Sequence, residues 1–272
     1  MKKTRKEKGM KKTTLQRACV GLVFVAALLI KVPLATAQQK AFVFPQVADG
    51  VWNGGYYKTT FMILPGSSTS VVTCGFVLYG LGVDLDGKGL VTGWTSTISP
   101  GIPYVASSSA DQQVRTGYAT LSCTDYVRAL VLYTSYTTGG TGSNLGAVFG
   151  SSDSSCSASN LAFADPVDQQ GGSQLAFAIA NNTTRAQTYW VSFNVRDNSL
   201  PQWTTETKVT VPAHTSIAQF LTEILPASAN SVGSITIGLN GSTFRDPGFS
   251  VMALRYTGAA FRTIPVACVP IC

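Results

Sequence analysis

The chain has 272 residues, of which 12% are charged, and a formal net charge of +7. The first 37 residues hold nine of the 20 basic and one of the 13 acidic residues, which leaves 11 basic and 12 acidic residues in the rest. That balance gives no evidence of the basic surface that nucleic-acid binding requires, so we expect no nucleic-acid partner. The remaining sequence is rich in Gly, Ser, Thr and Val in short alternating runs, which favours an all-β protein.

The first segment has the three parts of a secretory signal peptide. Residues 1–17 are strongly basic, residues 18–30 are apolar throughout, and residues 35–37 read Ala-Thr-Ala, a spacing that signal peptidase accepts. The apolar run is shorter than the roughly 20 residues that span a bilayer, and Cys19 lacks a convincing lipoprotein box. We expect a cleaved signal over 1–37, secretion to the extracellular space or periplasm, and no membrane insertion afterwards.

An internal repeat organises the remainder of the chain. Residues 54–80 align with residues 171–197 without a gap at an offset of 117, and residues 115–123 match residues 231–239. Each long copy opens with Gly-Gly and continues as strand, polar turn and strand. The alternative is chance similarity between β-rich segments. The repeat predicts two tandem, related antiparallel β-sandwich halves of the Ig-like type.

The two halves give the predicted domain boundaries, 38–150 and 151–272. Residues 137–160, at their junction, are rich in Gly and Ser and low in charge, which is typical of a surface loop or linker. One short helix is predicted over 216–226, where apolar side chains recur at helical spacing and Pro226 ends the run.

Alternating side chains predict which cysteines face the core. Along 188–196 every second residue is apolar, the period of a strand with one buried face. In the repeat alignment Cys74 corresponds to Val191, which lies on that buried row. Cys123 corresponds to Leu239, on a second core-facing row. We therefore expect a Cys74–Cys123 disulfide, with two buried free thiols as the alternative.

The processed chain has an odd number of cysteines, five, so at least one is free or pairs between chains. Cys156, Cys268 and Cys272 remain after the predicted pair. A bond from Cys156 to either C-terminal cysteine would tie down the chain end, but the sequence does not choose between them.

Few residues are suited to catalysis or metal binding. His214 is the only histidine, so a histidine-rich metal site is excluded, and its place in a turn favours a capping or exposed role. No G-x-S-x-G elbow and no GxxxxGK phosphate loop occur, and the processed chain has two glutamates, Glu206 and Glu223, in ordinary positions. We expect no catalytic residues, no metal and no cofactor.

One acidic segment begins like a calcium loop. Asp84, Asp86 and Gly87 have the initial spacing, but Thr95 stands where the loop needs a glutamate. A hairpin turn at Asp86-Gly87 is the simpler interpretation.

Aromatic residues offer the only candidate ligand surface. The aromatics considered are Trp52, Tyr56, Tyr57, Trp94, Tyr104, Trp190 and Trp203. Most are expected to pack in the core or on a sheet. Trp190 differs, because strand parity places it among polar residues, where either the other half covers it or it forms part of a binding surface. Trp190 and Trp203 are the candidate ligand residues.

Three segments of the chain match parts of a known sequence pattern: FVFPQVADG at 42–50 is similar to an FxQFADG opening, 161–183 to an ALANPT segment and 211–226 to an LPAxxH…FLxELFP segment. On these segments the chain resembles an uncharacterised secreted β-sandwich repeat family of Acidobacteria and similar soil bacteria. The resemblance spans about 42–267 and implies secretion and paired β-sandwiches, without an activity. It implies fold-supporting roles for the matching residues His214, Phe220, Leu221, Glu223 and Pro226. The five mature cysteines depart from the family pattern.

Our first hypothesis for function is a secreted, non-catalytic structural or interaction module at the cell surface or in the extracellular matrix. Its partner would be an unknown extracellular protein or polysaccharide, and not nucleic acid. The alternative is a carbohydrate- or polymer-binding protein that uses exposed aromatics. A hydrolase with an unrecognised site is the third hypothesis.

Overall fold

The described part of the protein consists mainly of β-strands. A computed structural model describes residues 39–66, 69–137, 142–149, 161–196, 204–239, 249–258 and 260–268. Its first strands are β1 (Gln39–Trp52), β2 (Gly55–Pro65), β3 (Val72–Tyr79), β4 (Val83–Asp84), β5 (Leu90–Val91), β6 (Gly93–Ile98), β7 (Tyr104–Ser107), β8 (Arg115–Thr137) and β9 (Gly142–Phe149). The others are β10 (Leu161–Asp168), β11 (Ser173–Asn181), β12 (Gln187–Val195), β13 (Thr204–Val211), β14 (Thr215–Phe220), β15 (Val232–Leu239), β16 (Phe249–Thr257), β17 (Ala260–Ile264) and β18 (Ala267–Cys268). The all-β prediction is confirmed.

The long strand β8 connects two layers in the first part of the chain. Up to Cys123 it lies between β1 and β3, and from Val127 onward it lies between β2 and β9. One layer therefore has the order β6-β3-β8-β1, and the other has the order β7-β2-β8-β9. Alternate residues of β3 are buried between them, as its period of two predicts.

Two further sheets follow in the second part. One has the strand order β13-β12-β15-β10-β18, and the other has the order β14-β11-β16-β17. When strands are matched in chain order, these sheets show the same arrangement as the two layers of the first part, with β18 added at one edge. Every pairing between these strands is antiparallel.

Strand β11 is buried on both faces and joins two hydrophobic cores. Its larger side chains Leu175, Phe177 and Ile179 enter the core of the second part. Ala178 packs into the core of the first part, and Ala180 packs against residues of β1 and β8. Small side chains on this face let the two parts approach closely. Residues 38–272 consequently form one compact unit.

Aromatic and polar contacts reinforce this junction. Tyr118 of β8 stacks on Tyr79 with ring centroids 4.5 Å apart, and its hydroxyl donates to the Asn182 side-chain carbonyl at 2.9 Å. The His214 ring also stacks on Tyr79, with ring centroids 5.6 Å apart. Tyr133 lies 4.0 Å from the Met252 sulfur and is fully buried, which raises the pKa of its phenol. The two parts are thus joined by specific side-chain contacts as well as by apolar area.

The helix predicted over 216–226 is largely wrong. Residues 215–220 form β14, which pairs with β11 along its whole length, and only α1 (Leu221–Ile224) is helical before a 3₁₀ turn at Pro226–Ser228. The apolar spacing that suggests a helix is overridden because β11 offers six backbone pairing positions.

The linker prediction for 137–160 is also wrong in part. Residues 142–149 form β9, which pairs with β8, and residues 150–160 lie outside the described residues. A low-charge Gly-rich stretch is compatible with a strand when a partner strand supplies the hydrogen bonds. The predicted signal at 1–37 lies outside the described residues as well.

Candidate functional site

The predicted disulfide is confirmed. Cys74 of β3 and Cys123 of β8 lie directly opposite each other, with Cα atoms 4.1 Å apart, and a disulfide joins them. Both are buried, at 0% and 8% exposure. The remaining cysteines add nothing here, because Cys156 and Cys272 lie outside the described residues and only the backbone of Cys268 is described.

The register corrects one detail of the repeat alignment. Leu239 lies opposite Tyr189, whereas the offset of 117 places Val191 in the position of Cys74. The second strand of the repeat is therefore misaligned by two residues. An even shift keeps every side chain on its own face of the sheet, so the conclusion that Cys74 faces the core survives.

Trp190 lies on the outward face of the sheet that contains β12. Its strand neighbours Tyr189 and Val191 are buried in the core, and Trp190 itself is half-buried on the opposite side. It lies between Lys208 of β13 and Gly238 of β15. A Cβ atom on Gly238 would come within 2.7 Å of the indole, so the absence of a side chain there lets the ring lie flat on the sheet.

Polar groups continue along the same face. The Ser192 hydroxyl donates to the Glu206 carboxylate at 3.4 Å, and the Thr204 hydroxyl donates to the Asn194 side-chain carbonyl at 2.8 Å. We call this surface the Trp190 face; its residues are Trp190, Ser192, Asn194, Glu206 and Lys208. It combines one flat aromatic ring with exposed charges of both signs. Trp203, the other candidate, lies outside the described residues.

A second aromatic group lies at the end of the β1–β2 hairpin. Trp52 stacks on Tyr57 with centroids 6.1 Å apart, and Tyr56 stacks on Tyr136 of β8 at 4.5 Å. Trp52 is 43% exposed. Tyr56 and Tyr57 are consecutive in β2, so the two stacked pairs lie on opposite faces of the hairpin. We call the four residues together the hairpin patch. Sequence reasoning named three of them but missed their grouping, because Tyr136 joins only through the pairing of β2 with β8.

Trp94 and Tyr104 pack at the edge of the first core. Trp94 stacks on Phe76 at 4.1 Å, and its indole N–H donates to the Tyr104 hydroxyl at 3.1 Å. Both side chains are half-buried, so they support the fold rather than a ligand surface.

The titratable groups are dispersed among the described residues. His214 is exposed in a turn with positive φ, its backbone N–H donating to the Thr183 carbonyl at 3.2 Å. Glu223 accepts a hydrogen bond from the Phe220 backbone N–H at 3.0 Å at the start of α1, while Glu206 lies on the Trp190 face. In the part of the chain that is described, no three His, Cys, Asp or Glu side chains come together.

The calcium-like segment is a turn, as expected. Asp86 and Gly87 both have positive φ, at 54° and 75°, between β4 and β5. The Asp84 carboxylate accepts from the Gly89 backbone N–H at 2.8 Å, and that of Asp86 accepts from the Ser107 backbone N–H at 3.3 Å. These carboxylates hold loops.

An open pocket of about 310 Å³ lies beside β16 and β17 and is lined by Arg255, Thr257, Phe261 and Arg262. Arg255 bonds to the Asp168 carboxylate at 2.5 Å and to the Ser173 hydroxyl at 3.0 Å. Its guanidinium therefore fastens β16 to the neighbouring sheet, which leaves less of its charge for a ligand.

Comparisons with known proteins do not identify a family. No family model matches the chain, and no curated protein matches it. Among solved structures, an anti-sigma factor domain-containing protein aligns over 83% of this chain and 96% of its own, with 11% identity and a TM-score of 0.14. A likeness at that level carries no argument. None of the described helices has the length and apolar character to cross a membrane. The strands and the Cys74–Cys123 disulfide define the class: an all-β, disulfide-containing protein.

Proposed function

We propose that the protein is a secreted, non-catalytic structural or interaction module, released after cleavage of residues 1–37. The Cys74–Cys123 disulfide supports this, because such bonds persist in oxidising compartments. We also propose that the two parts are related Ig-like sandwich halves, as in the secreted repeat family that the sequence resembles. The shared strand order of their sheets supports this proposal.

The observation that carries the structural role is the two-faced burial of β11. Because Phe177 and Ala178 pack into different cores, the two parts share a layer and move together. A stiff body of this kind presents sheet faces and hairpin ends to an extracellular protein or polysaccharide at the cell surface or in the matrix.

The second candidate function is carbohydrate or polymer binding, and the Trp190 face favours it. An indole lying flat on Gly238 offers a surface for the C–H face of a sugar ring. Glu206, Lys208 and Asn194 beside it supply acceptors and donors for sugar hydroxyls. The hairpin patch has exposed aromatics too, but its rings stack on each other.

The test has two arms. Expression of the full chain in a Gram-negative host, followed by mass measurement of the exported protein, should show loss of residues 1–37. Retention of the intact chain in the cytoplasm contradicts secretion.

A polysaccharide array with Trp190→Ala, and with Trp52→Ala as the matched control, separates the structural role from the carbohydrate-binding role. Binding abolished by Trp190→Ala alone favours the carbohydrate role, and absence of binding by the folded wild type removes it.

A further inference from the structure

Strand β13 forms an open edge of its sheet. Among the described strands it pairs only with β12, over eight residues and without a register shift. Every second residue of such an edge strand directs its backbone N–H and C=O away from the neighbouring strand. Most residues of β13 are Thr or Val, which favour extended backbone, and the strand contains no proline or glycine. The outer side of β13 is therefore suited to pairing with another strand.

Three other sheet edges are less suited to a partner strand. β7 has four residues, and at its end the Asp86 backbone N–H donates to the Ser107 carbonyl at 3.1 Å, while the Ser107 N–H donates to the Asp86 carboxylate at 3.3 Å. β18 has two residues. β6, which occupies the position of β13 in the first part, has six residues and begins with a glycine. Of these four edges β13 is the longest, and it alone carries charged side chains.

The side chains of β13 form two rows. The inward row is partly buried at the rim of the second core and consists of Thr205, Thr207 and Val209. The outward row is exposed, shares its face with Trp190, and consists of Thr204, Glu206, Lys208 and Thr210. Two opposite charges therefore lie on one face of the strand, one on each side of Thr207.

An antiparallel pair of two β13 strands brings opposite charges together. When Thr207 lies opposite Thr207 of the partner subunit, Glu206 of each copy lies opposite Lys208 of the partner subunit. In the same register Thr204 faces Thr210 of the partner subunit, and Thr205 faces Val209 of the partner subunit. Pairs of opposite charge and pairs of threonines stabilise an antiparallel sheet when they lie directly opposite each other. The edge of β13 is thus complementary to itself.

The same charges disfavour the neighbouring registers. Residues that lie opposite each other share a face of the sheet, so each residue's partner can shift only by an even number of positions. A shift in one direction places Glu206 opposite Glu206 of the partner subunit, and a shift in the other direction does the same for Lys208. Like charges directly opposite each other are destabilising. The charges therefore select the register centred on Thr207.

We propose that the protein forms a symmetric dimer in which the β13 strands of two copies pair antiparallel about Thr207. This pairing joins the two copies of the β13-β12-β15-β10-β18 sheet into one continuous sheet, through about six to eight new backbone hydrogen bonds. The two Trp190 side chains then lie on one face, about 15 Å apart by ordinary strand spacing. A single strand pair is a small interface, so we expect a weak dimer with a Kd on the order of 10–100 µM.

The test is sedimentation equilibrium of residues 38–272, which form one compact unit, at about 5–500 µM protein. The single variants Glu206→Lys and Lys208→Glu each place like charges opposite each other in the dimer. The double variant Glu206→Lys/Lys208→Glu restores opposite charges. Lys88→Glu is the matched control, because that lysine is exposed in the turn between β4 and β5. The altered side chains are exposed, so the variants should fold.

We expect the wild type and Lys88→Glu to change from monomer to dimer over this concentration range. Each single variant should associate with itself about tenfold more weakly, and the double variant should recover wild-type association. An equimolar mixture of the two single variants should form a heterodimer, because the like charges of one chain lie opposite those of the other sign. Amide hydrogen exchange over 204–211 should slow as the wild-type concentration rises.

A wild type that stays monomeric at the highest concentration would overturn the proposal. A dimer whose strength the single variants leave unchanged would also overturn it, because that dimer would use another surface. Weak association that neither the double variant nor the mixture restores would contradict the register about Thr207. None of these results depends on secretion or on sugar binding.

Discussion

Removing the Cys74–Cys123 disulfide should lower stability by a calculable amount. The bond closes a loop with a sequence separation of 49 residues. The loop-entropy relation gives about 4 kcal/mol for a loop of that size at 25 °C. Both side chains are core residues, so the double variant Cys74→Val/Cys123→Ala keeps the site filled and limits the additional packing loss. With about 2–4 °C of Tm for each kcal/mol in a protein of this size, we expect a Tm lower by about 10 °C.

The assay is calorimetric unfolding of the wild type and the double variant, each with and without reductant. Reductant should lower the Tm of the wild type more than that of the double variant, and a peptide map of the oxidised wild type should contain the linked Cys74 and Cys123 peptides. A Tm difference below about 2 °C, with the bond shown to be formed, would refute the entropic reasoning. It would mean that the unfolded chain is already constrained across this loop.

Two further predictions concern the junction between the two parts. Ala178→Leu should destabilise by about 1–3 kcal/mol because it overpacks the closely approached face of β11. The same change at its exposed strand partner Ala218 should cost far less, and equal losses in denaturant titration would contradict the shared layer. Burial and the neighbouring Tyr57 raise the pKa of Tyr256 from 10.0 to about 12. Because the folded pKa is the higher one, its contribution is complete below pH 10 and on the order of 2 kcal/mol is lost as the pH rises to about 12. Tyr256→Phe should flatten that part of the stability profile, and an unchanged alkaline loss would argue against burial of this phenol.

Local alternation was enough to predict several features. The period of two in β12 placed Tyr189 and Val191 on the buried face and Trp190 on the other. A shift of two residues leaves every side chain on the same face of its strand. The Cys74–Cys123 bond was therefore predicted correctly although the repeat was misaligned by two residues.

Features that depend on partners distant in sequence were missed. The segment 215–220 has a helical apolar spacing but becomes a strand because β11 pairs with it. Tyr136 stacks on Tyr56 only because β2 pairs with β8. No local pattern marks either relationship.

The sequence by itself determined the all-β class, the buried and outward faces of β3 and β12, and the core position of the two bonded cysteines. These properties follow from the two-residue repeat of a strand, which is local. Tertiary structure decided that the two parts share β11 as a common layer and that Trp190 lies flat over Gly238. Those outcomes depend on which surfaces meet across long sequence separations, and packing in three dimensions alone sets them.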